Sequence, residues 1–136
     1  MNGRRVHEAY PVNPKYKYIG VTSCWPSLSE VPAKIDLAVF ATPSSKIEGL
    51  LKECKKLAIP NVLITPGDEE LTADRRWRER IAQMAREAGI RLIGPDSMGI
   101  MRPSIGLNVS YWPHLAQTGS IGLLCQPGAA TAAVLE

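Results

Sequence analysis

The sequence predicts an α/β domain built on an open parallel sheet, and two observations carry that prediction. Three apolar runs each end in Thr or Gly followed directly by Pro, at Thr42-Pro43, Thr65-Pro66 and Gly94-Pro95. A stretch with helical spacing separates each run from the next, as in sheets whose parallel strands are joined by crossover helices. The carboxyl ends of such strands lie on one side, where open sheets form their ligand crevice. We call this predicted edge the rim.

The first strand-like segment is short. Residues 10–14 are weakly strand-like and close at Asn13 and Pro14, and a loop rich in Tyr, Gly, Pro and Ser follows to about residue 34. Within it, residues 26–32 fit one helical turn. Residues 35–41 are apolar except for Asp36, which predicts a strand buried on both faces.

The first helix is predicted from a capping box and an apolar stripe. Ser45 and Glu48 have the spacing at which each side chain can satisfy a free amide of the first turn. Pro60 excludes a longer helix, and residues 62–65 form the next strand. The inner stripe recurs at helical spacing and comprises Ile47, Leu50, Leu51, Cys54, Leu57 and Ala58.

A second helix is predicted to start near Thr72 and to stop at Gly89, a residue that commonly ends helices. Residues 91–94 are the third strand, and residues 106–111 a short extra strand. Residues 113–119 resemble a linker, and residues 121–125 a further buried strand that opens a second domain at 120–136. The inner stripe of the second helix comprises Trp77, Ile81, Met84, Ala85 and Ala88.

Composition restricts the class of protein. The chain has 136 residues, 45% of them hydrophobic, which fits one globular domain as the main body. Its net charge of +3 is too small to indicate a nucleic acid or an anionic membrane as partner. No apolar run approaches the ~20 residues that span a bilayer. The cysteines are odd in number and lack C-x-x-C spacing, which indicates reduced thiols in a cytoplasmic protein; they are Cys24, Cys54 and Cys125.

The rim offers groups for binding rather than for catalysis. Backbone amides at the helix starts favour anions, and Lys15 is a candidate phosphate partner by its position after the first strand. The two histidines, His7 and His114, lie in no catalytic motif. Asn13, Thr42, Thr65 and Ser97 supply amide and hydroxyl groups, while Gly67, Gly94 and Gly99 permit close backbone approach.

Five segments occur in an order that resembles a known family. They are Pro-Val-Asn-Pro-Lys at 11–15, Asp-Leu-Ala-Val-Phe-Ala-Thr-Pro at 36–43, Arg-Leu-Ile-Gly-Pro-Asp-Ser-Met-Gly-Ile at 91–100, Gly-Leu-Asn at 106–108 and Cys-Gln-Pro-Gly-Ala at 125–129. Together they resemble the CoA-binding domain of NDP-forming acyl-CoA synthetases and of protein lysine acetyltransferases with a fused acetyltransferase domain. The succinyl-CoA synthetase alpha subunit is a more distant relative.

The resemblance implies a Rossmann-like open parallel sheet over residues 1–112 with coenzyme A across the rim, and a flavodoxin-like second domain from residue 120. By motif, the adenosine and phosphate part of the cofactor would face Asn13, Pro14 and Lys15. The next strand ends would present Thr42, Pro43 and Ser44, then Thr65, Pro66 and Gly67. Pro95, Asp96 and Ser97 would lie toward the pantetheine arm.

The chain departs from the family pattern in three places. The usual Gly-Pro-Asn-Cys is Gly-Pro-Asp-Ser at 94–97, so Asp96 brings a negative charge where an amide is usual. The usual Ser-Gln-Ser-Gly is Cys-Gln-Pro-Gly at 125–128. The family's first strand and its Gly-rich turn are absent, so the domain is expected to be incomplete at its amino terminus. That strand is expected between the strands that end at Asn13 and at Thr65.

The resemblance leaves two parent activities open. One is acyl-CoA formation or cleavage by an acetate–CoA ligase (ADP-forming)-like enzyme, and the other is acetyl transfer to lysine. The family's catalytic histidine lies in the domain that follows, so this chain alone is not expected to turn over substrate, and its partners would be the remaining family domains in cis or trans. The alternatives are a non-catalytic module that senses NAD or another adenine nucleotide, and an inert fragment or a subunit that pairs with a partner.

Overall fold

The structure is a computed structural model, and it describes residues 8–65 and 73–124. Within these residues, 3-10 turns lie at Leu28–Glu30, Ser44–Lys46 and Pro103–Ile105. The described residues 98–124 group into a compact unit of their own, separate from the unit formed by residues 8–97. In chain order the strands and helices are β1 (Tyr18–Ile19), β2 (Thr22–Ser23), β3 (Ala38–Phe40), α1 (Ile47–Lys56), β4 (Asn61–Ile64), α2 (Arg75–Glu87), β5 (Arg91–Ile93), β6 (Gly99–Arg102) and β7 (Leu107–Ser110).

The larger unit is built on a parallel sheet of order β3-β4-β5. Phe40 lies opposite Ile64, and Leu63 lies opposite Ile93. The predicted α/β class with an open parallel sheet is therefore confirmed. The place expected for the family's first strand, next to the strand predicted to end at Thr65, is wrong. That strand is β4, and it already has a hydrogen-bonded neighbour on each side.

The two helices pack together against one face of the sheet. α1 buries Ile47, Leu51 and Cys54, and both helices contribute to one apolar cluster with strand residues such as Phe40 and Val62. Consecutive parallel strands joined by right-handed crossovers place their helices on the same face, which accounts for this single cluster. Each large side chain buried there contributes about 1.5–3 kcal/mol. α2 contributes Trp77, Ile81 and Ala85, as its predicted stripe requires.

The ends of α1 differ from the prediction. The chain enters α1 through the 3-10 turn Ser44–Lys46, whose N-cap is Pro43. Ser45 therefore lies inside a turn. No side-chain hydrogen bond caps the start of this turn or of α1, so the predicted capping box is wrong. Glu48 instead pairs with Arg80 of α2, with Oε1 and Nη2 2.6 Å apart.

The carboxyl end of α1 comes two residues earlier than the apolar stripe indicated. Leu57 is 40% exposed and Ala58 is exposed too, so neither belongs to the inner stripe. Ala58 adopts a left-handed conformation with φ +54°, and the Ile59 amide donates to the Cys54 carbonyl at 2.9 Å. This geometry is a Schellman-type helix end.

The ends of α2 follow the sequence signals more closely. Asp74 caps the start, where Oδ1 accepts from the Arg76 amide at 2.9 Å, two residues beyond the predicted start at Thr72. Gly89 ends the helix with φ +70°, as predicted. The Ile90 amide donates to the Ala85 carbonyl at 2.9 Å and completes the same kind of helix end as in α1.

The amino-terminal segment forms one bridge rather than a regular strand. Val12 pairs with Trp25 in parallel, and the Asn13 amide donates to the Trp25 carbonyl at 2.8 Å. The intervening stretch, predicted as loop, contains the short antiparallel pair of β1 and β2. The 3-10 turn Leu28–Glu30 confirms the predicted helical turn.

The smaller unit is an antiparallel hairpin of β6 and β7. β7 confirms the predicted strand near 106–111. Gly99 packs against β7, because a Cβ there would lie 2.2 Å from the Val109 carbonyl oxygen, so this glycine serves strand pairing rather than ligand approach.

The buried strand predicted at 121–125 is wrong for the residues that the structure describes. Residues 121–124 have no regular structure, and Ile121 and Leu124 are 93% and 100% exposed. No described strand pairs with them, and an apolar strand needs such a neighbour to be buried. Within 8–65 and 73–124, no helix has the length and hydrophobicity needed to cross a membrane.

Candidate functional site

Three strand ends meet at one edge of the larger unit, which is the predicted rim. Because β3, β4 and β5 are parallel and in register, the residues that follow them lie side by side. Thr42 comes two residues after β3, Thr65 directly after β4, and Gly94 directly after β5. The juxtaposition of these strand ends, expected from the Pro punctuation alone, is present in the structure.

The Thr65 hydroxyl has a structural partner. Its Oγ1 donates to the Phe40 carbonyl at 3.0 Å, and its amide donates to the same oxygen at 3.2 Å. Thr65 therefore links the ends of β3 and β4, and its hydroxyl proton is not free for a ligand. The hydroxyl oxygen can still accept a hydrogen bond.

The loop after β5 folds over the end of β4. The Ser97 amide donates to the Ile64 carbonyl at 3.2 Å, and Gly94 approaches the same carbonyl so closely that a Cβ would lie 2.3 Å from its oxygen. Gly94 has φ +95°, Asp96 has φ +65°, and the Gly94-Pro95 bond is cis. The loop thereby brings Pro95, Asp96 and Ser97 to the part of the rim where Thr65 lies.

The segment after β3 has two exposed residues followed by a buried serine. Thr42 and Pro43 are exposed, while Ser44 is only 3% exposed and is the polar member of the buried set in the described residues. Ser44 opens the 3-10 turn that leads into α1, and the Lys46 amide donates to the Pro43 carbonyl at 2.9 Å. This hydrogen bond fixes the backbone of this part of the rim.

The Asn13 segment is held by backbone hydrogen bonds with Trp25. The Lys15 amide donates to Asn13 Oδ1 at 2.9 Å, which makes a tight turn at Pro14 and leaves Lys15 exposed. The Cys24 thiol lies 3.8 Å from the Asn13 carbonyl. Trp25, which pairs with both Pro11 and Asn13, positions this segment although no sequence motif had singled it out.

The structure thus groups the predicted site residues into two sets in the larger unit. The rim set contains Thr42, Pro43, Ser44, Thr65, Pro95, Asp96 and Ser97. The second set, Asn13, Pro14 and Lys15, lies on the Trp25 bridge. The other two predicted residues, Pro66 and Gly67, lie outside the described residues.

Comparison with known proteins identifies the family. A family model described as a CoA binding domain matches residues 2–103. The chain is 34% identical over 128 residues to the ADP-forming acetate–CoA ligase of Methanocaldococcus jannaschii, an alignment that covers 93% of the chain and 18% of the ligase. It is 29% identical to the ADP-forming 4-hydroxybutyrate–CoA ligase of Nitrosopumilus maritimus, over 100% of the chain and 20% of that enzyme.

Solved structures agree with these sequence matches. The dinucleotide-forming acetyl-coenzyme A synthetase 1 of Ca. Korarchaeum cryptofilum, in complex with phosphate and ADP, matches with a TM-score of 0.79 and 28% identity, over 93% of this chain and 27% of that one. A protein from Pyrococcus horikoshii matches with a TM-score of 0.82 and 27% identity, over 93% and 29% of the two chains. The chain spans about a fifth of the length of the ligases named above. It belongs to the CoA binding domain family, and its cofactor is coenzyme A.

Proposed function

We propose that this chain is the CoA-binding part of an ADP-forming acyl-CoA ligase, and that it holds the cofactor along the rim. The observation that carries the proposal is the meeting of three parallel strand ends at one edge, in a chain whose relatives named above are ADP-forming ligases. These relatives favour a ligase parent over an acetyltransferase parent. The acyl substrate and the nucleotide would be handled by the other parts of the whole protein.

The rim suits a long, flexible cofactor with a charged end. The exposed Thr42 side chain and the Thr65 hydroxyl oxygen, which can still accept, offer hydrogen bonds to the pantetheine amides, and Pro43 and Pro95 add apolar surface. Asp96 is the acidic member of the predicted site, and a carboxylate repels phosphate. The charge of Asp96 therefore favours the pantetheine arm, rather than a phosphate, near residues 95–97. The part of the cofactor between the phosphate end and the pantetheine arm would lie along Thr42, Pro43, Ser44, Thr65, Pro66 and Gly67.

The phosphate end is assigned to Asn13, Pro14 and Lys15. No Asp or Glu occurs from residue 9 to residue 29, whereas Lys15 and Lys17 do. The turn at Pro14 fixes the Lys15 backbone. Because the Lys15 ammonium is exposed, it can pair with a phosphate at little desolvation cost.

Isothermal titration calorimetry on the purified chain tests the proposal. Coenzyme A should bind, and NAD and ADP should bind at least tenfold more weakly. Selectivity for NAD would instead support the nucleotide-sensing alternative, and no heat with any of the three ligands would contradict cofactor binding by this chain.

Lys15→Ala tests the phosphate assignment. We expect this substitution to weaken CoA binding about fivefold, because it removes one exposed charge partner. Binding of dephospho-CoA, which lacks the 3′-phosphate, should change less. Lys52→Ala, which removes an exposed lysine of α1, is the matched control and should leave both affinities unchanged. Equal losses for both ligands in Lys15→Ala would contradict the assignment.

We also propose that residues 113–119 are a linker and that residues 120–136 begin a second α/β domain. Support comes from the exposed apolar side chains of Ile121 and Leu124, which are costly to leave in water. The relatives, which are several times longer than this chain, contain additional sequence against which such a segment can pack.

A further inference from the structure

An exposed tyrosine lies next to the lysine assigned to phosphate. Tyr16 is 61% exposed, and it follows Lys15 directly in the segment held by Trp25. An aromatic ring left largely in water on an ordered backbone is available to stack on a flat ligand.

The backbone on both sides of Tyr16 is fixed by hydrogen bonds. On the amino-terminal side, the Lys15 amide donates to Asn13 Oδ1 at 2.9 Å. On the carboxyl-terminal side, the Lys17 carbonyl accepts from the Cys24 amide at 2.9 Å. Presenting the ring therefore carries little of the ordering cost that a mobile loop would have on binding.

The charges around the ring favour a base that carries phosphate. Lys15 and Lys17 flank Tyr16, and the nearest acidic residues along the chain are Glu8 and Glu30. Stacking on an aromatic ring recognises the face of a nucleobase, while ammonium groups recognise its phosphates. Adjacent Lys and Tyr side chains supply both from one short segment.

We propose that Tyr16 stacks on the adenine base of coenzyme A and so makes this chain prefer CoA over ligands that contain only its pantetheine arm. This inference rests on the proposed function, in which residues 13–15 face the nucleotide end. Tyr18 is similarly exposed, at 65%, but it belongs to β1, where it pairs with Ser23, and it is not adjacent to Lys15.

The test measures CoA and 4′-phosphopantetheine, which lacks the nucleotide, by calorimetry and by competition on the full chain. Tyr16→Ala should weaken CoA binding about tenfold, as expected for loss of one base stack, and leave 4′-phosphopantetheine unchanged. Tyr16→Phe should keep the affinity for CoA, because the ring remains, and Tyr18→Ala should also keep it. Far-UV circular dichroism and thermal unfolding verify that each variant is folded.

The outcomes separate this inference from the proposed function. If the unsubstituted chain binds CoA and Tyr16→Ala binds it equally well, the stacking role is overturned and the proposed function stands. An equal loss for both ligands, or a loss in Tyr18→Ala in place of Tyr16→Ala, also overturns it. If the unsubstituted chain binds no CoA, both fail.

Discussion

At the scale of single residues, Gly94 is the position at which the rim tolerates least change. A side chain there would meet the Ile64 carbonyl oxygen at 2.3 Å, and the φ of +95° disfavours any residue with a Cβ. Gly94→Ala must therefore displace the loop or the end of β4. We expect the free energy of unfolding to fall by at least about 2 kcal/mol and CoA affinity to fall with it.

Gly89→Ala is the matched control for that substitution. Gly89 also has a positive φ, of +70°, but no atom lies within 4 Å of the added Cβ. Only the conformational cost of about 1 kcal/mol remains, and CoA affinity should not change. Urea unfolding and calorimetry on both variants measure the difference, and equal losses would show that the contact with Ile64 is unimportant.

The Cys54 thiol gives the stability of the chain a pH dependence. Burial, together with the smaller effect of the negative charge of Glu53, raises the pKa of this thiol from the ordinary 9.0 to about 11. The folded chain thus keeps a proton that the unfolded chain loses, so this stabilisation is complete below pH 9 and is lost as the pH rises to 11.

We expect the free energy of unfolding to fall by about 2 kcal/mol from pH 8.5 to 10.5 through this thiol alone. Lysines and tyrosines titrate in the same range, so the measurement compares urea unfolding of the unsubstituted chain with that of Cys54→Ala at both pH values. Between these two pH values, the free energy of unfolding of Cys54→Ala should fall by about 2 kcal/mol less than that of the unsubstituted chain. Parallel pH profiles would contradict the assignment.

At the scale of elements, the carboxyl ends of α1 and α2 have the same backbone geometry but differ in the residue that adopts it. Both end with a residue in the left-handed conformation, Ala58 after α1 and Gly89 after α2. Alanine is strained there and glycine is not. Ala58→Gly should raise the free energy of unfolding by about 0.5–1 kcal/mol, measured by urea unfolding, although most substitutions lower it. A decrease would mean that the loss of Cβ contacts or the flexibility of the unfolded chain outweighs the relief of strain.

The same pair shows what the sequence could predict about elements. Gly89 carries a local signal for a helix end, and the apolar spacing of Trp77, Ile81 and Ala85 correctly gave the buried face of α2. Nothing in the sequence around Ala58 marks a left-handed residue, and the predicted stripe therefore continued through Leu57 and Ala58. The S-x-x-E pattern of Ser45 and Glu48 misled because a 3-10 turn with Pro43 as its N-cap begins at Ser44, one residue before Ser45.

The rim was predictable in outline but not in its contacts. Proline after each apolar run indicated where the strands end, and parallel pairing then required Thr42, Thr65 and Pro95 to share an edge. The hydrogen bond from Thr65 to Phe40 and the approach of Gly94 to Ile64 depend on the register between strands. Strand register is a tertiary property, so residue type alone could not reveal either contact.

At the scale of the whole molecule, the chain contains apolar sequence that its described residues do not bury. The run at 121–124 has the composition of a strand, but no described strand pairs with it, whereas β4 at the centre of the sheet is buried. The difference between the two segments is the presence of neighbours, not their own propensity. Neighbours supplied by further sequence should therefore convert residues 121–124 into a protected strand.

Hydrogen exchange followed by mass spectrometry can measure that conversion. In this chain, amides of 121–124 should exchange at the rate of an unstructured peptide, and those of Val62 and Leu63 on the order of a thousandfold more slowly, because their opening requires unfolding of the sheet. Fusing the chain to the region that follows the aligned segment in the Methanocaldococcus jannaschii ligase should slow exchange at 121–124 while leaving Val62 and Leu63 unchanged. If 121–124 stay unprotected in a folded fusion, these residues do not begin a second domain, and their apolar side chains need another explanation.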